Sequence, residues 1–362
     1  MRLCPTVAIF IALAGVSAAE WNKQKAAEYL DARQKAWFAW PVATENRGGA
    51  CVSCHSGLTY LLARPALRQA LHETKPLSYE TGLADAIRNR LEHEQPGKMF
   101  HASKVEPRAT QDRAVESVVS AFSLALDPDS GVALTKALDR MLATQSKEGN
   151  WPWFSLGLSP WEAVESDFFG ASLAAKALDL APALYRERPE VREHAAELEG
   201  YLKREFATQP LHHKLFLLYL SQGTGKAVPA DLRKQAIDEA IAKQQPDGSW
   251  TIASLGPWKS HKNTAASTGG DNYATAIATL ALQRANKDAS RGVAWLRSHQ
   301  DPATGAWLAK SMNKVREPDS IEGHFMNEAA TAYAVLALLN SEAAPPPQQL
   351  MEWQNRWFTA SW

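Results

Sequence analysis

Apolar and polar positions along this chain repeat with the period of an α-helix almost throughout, and hardly any stretch alternates with a period of two. Two kinds of segment take turns. One kind is Ala-rich and apolar nearly all round: 56–67, 113–126 (RAVESVVSAFSLAL), 167–178 (DFFGASLAAKAL), 211–220 (LHHKLFLLYL), 271–282 (DNYATAIATLAL) and 327–338 (NEAATAYAVLAL). A helix without a polar face belongs in the interior, and small side chains let such helices approach closely. The other kind is amphipathic, with Lys, Arg and Glu on one face: 80–93, 132–145, 190–206, 230–245, 287–299 and 346–357. These predict outer helices. Inner and outer segments alternate six times, with a period of about 50–60 residues.

The expected fold class is therefore all-α. Closing such pairs on themselves gives an α/α toroid of about six inner/outer helix pairs, with the inner helices around a central cavity and the outer helices facing water; an open solenoid is the alternative. Residues 51–345 form the toroid on this reading, residues 20–50 an N-terminal helix and lead-in, and residues 346–362 a C-terminal helix that packs on the toroid through Trp353, Trp357 and Trp362.

A shorter pattern joins the pairs. Gln145-Ser-Lys-Glu-Gly149-Asn-Trp151, Gln245-Pro-Asp-Gly248-Ser-Trp250 and Gln300-Asp-Pro-Ala-Thr-Gly305-Ala-Trp307 each close a helix with Gln, turn through Gly and end on Trp. Gly supplies the left-handed backbone of the turn, and the Trp can pack back over the helix end. Residues 95–100 (QPGKMF) carry a weaker trace of the same pattern.

These Gln…Gly-x-Trp turns followed by Ala-rich helices resemble those of squalene–hopene cyclases and protein prenyltransferase β subunits, over roughly residues 55–340. The resemblance implies the terpenoid cyclase/protein prenyltransferase-like toroid. It does not bring a reaction with it. The cyclases protonate an alkene with a D-x-D-D run, and this chain has only Asp127-Pro-Asp129-Ser at a helix end. The prenyltransferases hold zinc with Asp, Cys and His.

The motif that carries chemistry is Cys51-Val52-Ser53-Cys54-His55, a C-x-x-C-H sequence. Two thiols at this spacing can add to the two vinyl groups of one porphyrin, and the adjacent imidazole then falls beneath the iron. The implied cofactor is one covalent haem c, bound through Cys51, Cys54 and His55, with His55 as an axial ligand. A C-x-x-C disulfide and a zinc half-site share the spacing. The chain has only one further cysteine, Cys4, and a closed zinc site needs about four ligands. For a second axial ligand the candidates are Met99 and His101, which come soonest after the motif, then Met312, His324 and Met326; an iron with one open position is also possible chemistry.

Residues 1–19 read as a signal peptide: Arg2, an apolar run from Val7 to Val16 that is too short to span a bilayer, and small residues at 17–19. The expected location is periplasmic or secreted, which is where c-type haem is attached. No later stretch is apolar enough to cross a membrane. Lys plus Arg and Asp plus Glu are 39 each, a balance that argues against nucleic acid.

Polar residues near the starts of the inner helices are candidates to line the cavity: Glu116, Glu165, Asp167, His212, His213, Asp271, Tyr273, His324 and Glu328. Asp167, Asp271 and Glu328 are the catalytic candidates, as an acid–base set pointing into one space from successive repeats; a carboxylate at a helix start is also commonly a cap. His212 and His213 read either as a solvent-facing or hydrogen-bonded imidazole pair or as iron or metal ligands.

The functional expectation is an exported monohaem c-type protein that transfers or senses electrons. Its partner would be a redox protein or a quinone-like small molecule, with an apolar, isoprenoid-like lipid as a possible occupant of the cavity. The alternatives are a haem-dependent or acid–base enzyme acting on a terpenoid or other lipid, and a cofactor-free interaction protein with a C-x-x-C disulfide. A sugar-degrading toroid, with Trp151, Trp153, Trp161, Trp250, Trp258 and Trp307 as stacking platforms, explains the tryptophans less economically than repeat packing does.

Overall fold

The structure, a computed structural model, describes residues 20–44, 50–93, 103–221, 223–259, 261, 264 and 267–343. The signal-peptide segment 1–19, the candidate ligands Met99 and His101, and the outer segment 346–357 lie outside the described residues. Among those described, the chain is all-α, with fourteen α-helices, four short 3-10 turns and no strand. No described helix is long and apolar enough to cross a membrane.

Six helices carry almost wholly buried faces: α3 (Gly57–Ala70), α5 (Arg108–Ala125), α7 (Ser166–Leu180), α10 (Leu211–Leu220), α12 (Asn272–Arg284) and α14 (Phe325–Glu342). Each packs against the next in this order, and α14 packs against α3, so the series of contacts returns to its start. Outside them lie α4 (Ser78–Glu92), α6 (Gly131–Ala143), α9 (Pro189–Glu205), α11 (Ala230–Ala242) and α13 (Ser290–Ser298). The remaining helices are α1 (Lys23–Ala39) and the single turns α2 (Pro41–Thr44) and α8 (Ala183–Arg186). Helix α5 starts five residues before the apolar run that predicts it. Its polar first turn is held by an Arg108–Asp112 ion pair at 2.9 Å, which hydrophobic patterning does not register. Helix α13 starts three residues later than expected, because Asn286 takes a left-handed conformation (φ 53°) and the Asp288 carboxylate accepts the Ser290 N–H.

The three Trp turns share one construction. Trp151, Trp250 and Trp307 are fully buried, and each indole N–H donates to a carbonyl of the preceding outer helix: Met141 at 2.7 Å, Ala240 at 2.7 Å and Leu296 at 2.8 Å. The turn glycines sit at φ 92°, 96° and 79°. A glutamine side chain closes each turn by donating to the glycine carbonyl: Gln145 to Gly149, Gln244 to Gly248 and Gln300 to Gly305. The second repeat therefore begins on Gln244, not on Gln245 as the sequence spacing suggests; Gln245 instead donates its backbone N–H to the Ser249 carbonyl. Trp250→Phe is expected to lower stability by about 2 kcal/mol, since it removes the buried indole bond to the Ala240 carbonyl, which keeps only the Lys243 N–H at 3.2 Å, and opens a small gap. Denaturant unfolding checks this, and a loss below ~0.5 kcal/mol would mean the indole N–H is not holding the turn.

The turn tips also show where the last outer helix comes from. A Cβ on Gly149 would collide with the Glu197 carbonyl of α9, and one on Gly248 would lie 2.6 Å from the Arg291 carbonyl of α13. On Gly305 it would lie 2.6 Å from the carbonyl of Lys25, in α1. Helix α1 thus takes beside α14 the place that α9 and α13 take in their repeats. It is fixed there by Asn22 and Gln300 (2.6 and 3.0 Å), by Trp21 donating to Glu342 (2.6 Å), and by the Trp21 ring edge-on to Trp307 at 5.8 Å.

Candidate functional site

The C-x-x-C-H segment is wound onto the start of α3. The Ser53 hydroxyl accepts the backbone N–H groups of Ser56 (3.0 Å) and Gly57 (3.3 Å), and the Leu58 N–H donates to the Ser53 carbonyl. That is a side-chain cap on the first turn. Gly57 is required at close quarters, since a Cβ there would lie 3.1 Å from Cγ1 of Val52 and 3.3 Å from its Cα. Two groups from other helices brace the segment: the Trp37 indole donates to the Cys51 carbonyl at 2.7 Å, and the Arg90 guanidinium donates to the Ala50 carbonyl at 3.3 Å.

Cys51 and Cys54 are not joined by a disulfide, and both are buried, at 2% and 5% exposure. Burial pushes the Cys54 thiol well above its usual range, with Glu162 adding to the rise. Burial, with a contribution from Arg316, pushes the His55 imidazole down to about 3, so it is neutral at pH 7 and in the form that ligates a metal. Its Nδ1 is buried without a hydrogen-bond partner. Two aromatic rings contact it: Phe325, the first residue of α14, stacks on it at 3.8 Å between centroids, and Trp161 lies tilted at 5.6 Å. Two thiols, a neutral imidazole with an unsatisfied nitrogen and an aromatic surround are chemically what a thioether-linked haem requires. No group of three or more His, Cys, Asp or Glu side chains that could hold a bare metal ion exists among the described residues.

The N-terminal ends of the inner helices gather at this same end. The loop between α6 and α7 brings Trp161 to Tyr273 of α12, at 5.5 Å between centroids and nearly perpendicular. His212 of α10 lies with Nε2 2.7 Å from the Tyr273 hydroxyl, and its ring packs on Phe216 and Trp258 at 6.1 and 5.7 Å. Tyr333 of α14 meets Tyr273 at 5.9 Å and Phe216 at 6.3 Å. These rings pack on one another between α10, α12, α14 and the loop before α7. His213 hydrogen-bonds the Pro160 carbonyl at 3.0 Å, and Asn313 bonds Ser159 in both directions (3.0 and 2.6 Å), tying the loops before α7 and α14 together. The histidine pair is thus a hydrogen-bonded imidazole pair. Burial pushes His213 down to about 4 and His212 well below the usual histidine range, and it pushes Tyr273 well above the usual phenol range.

The three candidate catalytic carboxylates do not form a set. Asp271 is the N-cap of α12, accepting the Ala274 N–H at 2.9 Å. Asp167 accepts the Trp153 N–H and the Asn150 side chain, both at 2.8 Å, and so holds the first Trp turn to its helix. Glu328 pairs with Arg33 of α1 at 2.7 Å. Each has a structural partner of its own, and only Asp271 is a helix cap. Glu116 likewise lies between Arg90 and Arg140 of the outer helices, at 3.7 Å from each. His324 reaches Tyr29 at 3.4 Å, Met312 is partly buried against the core, and Met326 is buried within it.

Burial raises the Asp271 carboxyl to about 6 against an ordinary value of 3.8. The folded state therefore holds a proton that the unfolded chain releases, and stability falls as pH rises from about 4 to about 6, by roughly 3 kcal/mol at most. Asp271→Asn should lack this step while keeping a cap. Parallel stability curves for the two proteins over that window would show the carboxyl titrating normally.

No protein-family model matches the chain, and no curated protein matches it either.

Proposed function

We propose that this chain is an exported monohaem c-type protein, built on an α/α toroid of the squalene–hopene cyclase and prenyltransferase-β kind, that passes or senses electrons at the N-terminal end of its inner helices. The observation that carries the reading is the C-x-x-C-H segment itself: two buried thiols at the lead-in to α3, and a neutral His55 in contact with Trp161 and Phe325. When bound, the haem supplies an iron that accepts and returns one electron. The chain does the rest. Cys51 and Cys54 would hold the porphyrin covalently, His55 would ligate its iron, and Trp37 and Arg90 fix the backbone around Cys51 so that the three groups keep their spacing.

The return of the inner-helix contacts from α14 to α3 and the three shared Trp turns support the toroid. Val105, Leu156, Val164, Leu308 and Val315 are exposed in the loops before α5, α7 and α14, at the end that carries the motif. An apolar rim there suits a redox protein or a quinone-like molecule as the electron partner. Acid–base catalysis on a lipid has less support, since Asp167, Asp271 and Glu328 are taken up by structure.

Expression with export and haem-maturation machinery tests the reading. The product is expected to show the absorption bands of c-type haem and a mass above that of the polypeptide by one haem. A colourless product from competent cells, or a mass two protons lighter than the dithiol, would overturn it.

A further inference from the structure

We propose that Trp161, the Tyr273–His212 pair and Trp258 form an electron relay between the His55 end and the protein surface, a role that rests on the haem reading above. Four aromatic contacts make a continuous line. The His55 ring is 5.6 Å from Trp161, and Trp161 is 5.5 Å from Tyr273. Tyr273 shares a 2.7 Å hydrogen bond with His212, and His212 lies 5.7 Å from Trp258. Trp161, Tyr273 and His212 are buried, whereas Trp258 is only half-buried and reaches solvent. The line therefore starts beside the motif, crosses the core and ends outside.

Each member is held in place. His213 and Ser166 both hydrogen-bond the Pro160 carbonyl, at 3.0 and 3.3 Å, which fixes the backbone before Trp161. Tyr273 follows the Asp271 cap in the first turn of α12. The Trp258 indole donates to the Ile252 carbonyl at 2.6 Å. Electron transfer between rings depends on fixed separations, and these supports supply them.

The Tyr273–His212 contact solves a proton problem. A phenol that gives up an electron becomes a strong acid, and a fully buried one cannot release its proton to water. Nε2 of His212 lies at hydrogen-bond distance to receive it. Burial keeps that imidazole neutral, so it has room for the proton. Tyrosine and tryptophan yield electrons only to strong oxidants; hydrogen peroxide is the class that fits, a two-electron oxidant whose two equivalents the haem bound at His55 would draw one electron at a time.

The balance closes with a reductant at the surface. Tyr273 passes one electron through Trp161 towards the His55 end and its hydroxyl proton to His212, which leaves a neutral tyrosyl radical and an imidazolium. A one-electron donor of the phenol or ascorbate class returns an electron at Trp258, and His212 returns the proton. Two such turns, with two protons from solvent, take one hydrogen peroxide to two waters.

The test mixes the haem-loaded full-length protein with hydrogen peroxide in the absence of donor. Freeze-quenched wild type is expected to show a tyrosyl radical by electron paramagnetic resonance, and Tyr273→Phe to lack it. Peptide mass mapping should find Trp258 oxidised in wild type and several-fold less so in both Tyr273→Phe and Trp161→Phe. The second variant keeps the Tyr273–His212 hydrogen bond, so it reads the relay even where Tyr273→Phe weakens the fold. Equal Trp258 oxidation in wild type and Trp161→Phe, or a radical that persists in Tyr273→Phe, overturns the relay while leaving the haem reading intact. A product without haem overturns both.

Discussion

Exported alongside haem-maturation machinery, the Cys51→Ala/Cys54→Ala double variant is expected to emerge colourless and with the mass of its polypeptide alone, whereas wild type is heavier by one haem. The effect is all-or-none because two thioether bonds are the whole of the covalent attachment. The variant should still fold. Each substitution removes one small buried atom group, worth about 1 kcal/mol, from a core that spans the chain. Circular dichroism and the unfolding midpoint check that separately from colour. The companion variant His55→Ala divides the site differently. It keeps both thiols, so it keeps the added mass, and it loses the imidazole, so the absorption bands shift. A double alanine variant that remains coloured would place the cofactor elsewhere.

The second large effect concerns the frame. Gly149→Ala is expected to cost about 3–5 kcal/mol, against about 1 kcal/mol for Gly131→Ala. Both glycines have positive φ, 92° and 49°, so both substitutions carry backbone strain. They differ in what a methyl group meets. At Gly131 nothing lies within 4 Å, while at Gly149 the methyl runs into the backbone carbonyl of Glu197 in α9. A side chain could swing aside, but a helix backbone has to move as a unit, and α9 is packed against α7. The comparison isolates the packing of one repeat on the next from the conformational preference of glycine. Similar midpoints for the two variants in a denaturant series would show that the turn tip does not bear on α9.

Much of this frame is visible in the residues themselves, for a physical reason that also sets the limit. The Ala-rich runs before Leu178, Leu282 and Leu338 announce buried helices because burial on all sides excludes charge, a property of each segment alone. The glycines at 149, 248 and 305 are visible because only a left-handed turn calls for glycine there. What depends on distant contacts is hidden. Gln244 rather than Gln245 closes the second turn because the count from Gln to Gly is set by where α11 ends, and spacing alone does not show that. Nothing near Lys25 indicates that it presses on Gly305, 280 positions along the chain.

The site divides in the same way. Cys51, Cys54 and His55 are legible because their chemistry lies within five consecutive residues. Asp271, Asp167 and Glu328 look like a converging acid set in sequence, yet each has a partner that only folding supplies: Ala274, Trp153 and Arg33. Trp161 belongs to no helix and no repeat, so its place between His55 and Tyr273 has no local signal at all. The one available hint for the Tyr273–His212 pair is that both residues open adjacent inner helices.

Helix α1 has a further consequence, for the order of assembly. Trp21 bonds to Glu342 across 321 positions, so α1 cannot complete its docking until α14, the last of the described helices, is made. Contacts of such separation form late. Until α14 arrives, Phe325 is not stacked on His55, and α3 lacks one of its two inner neighbours. On the haem reading, that waiting period is when the ligation enzymes can reach both sulfurs, and arrival of α14 afterwards seals the finished centre against them.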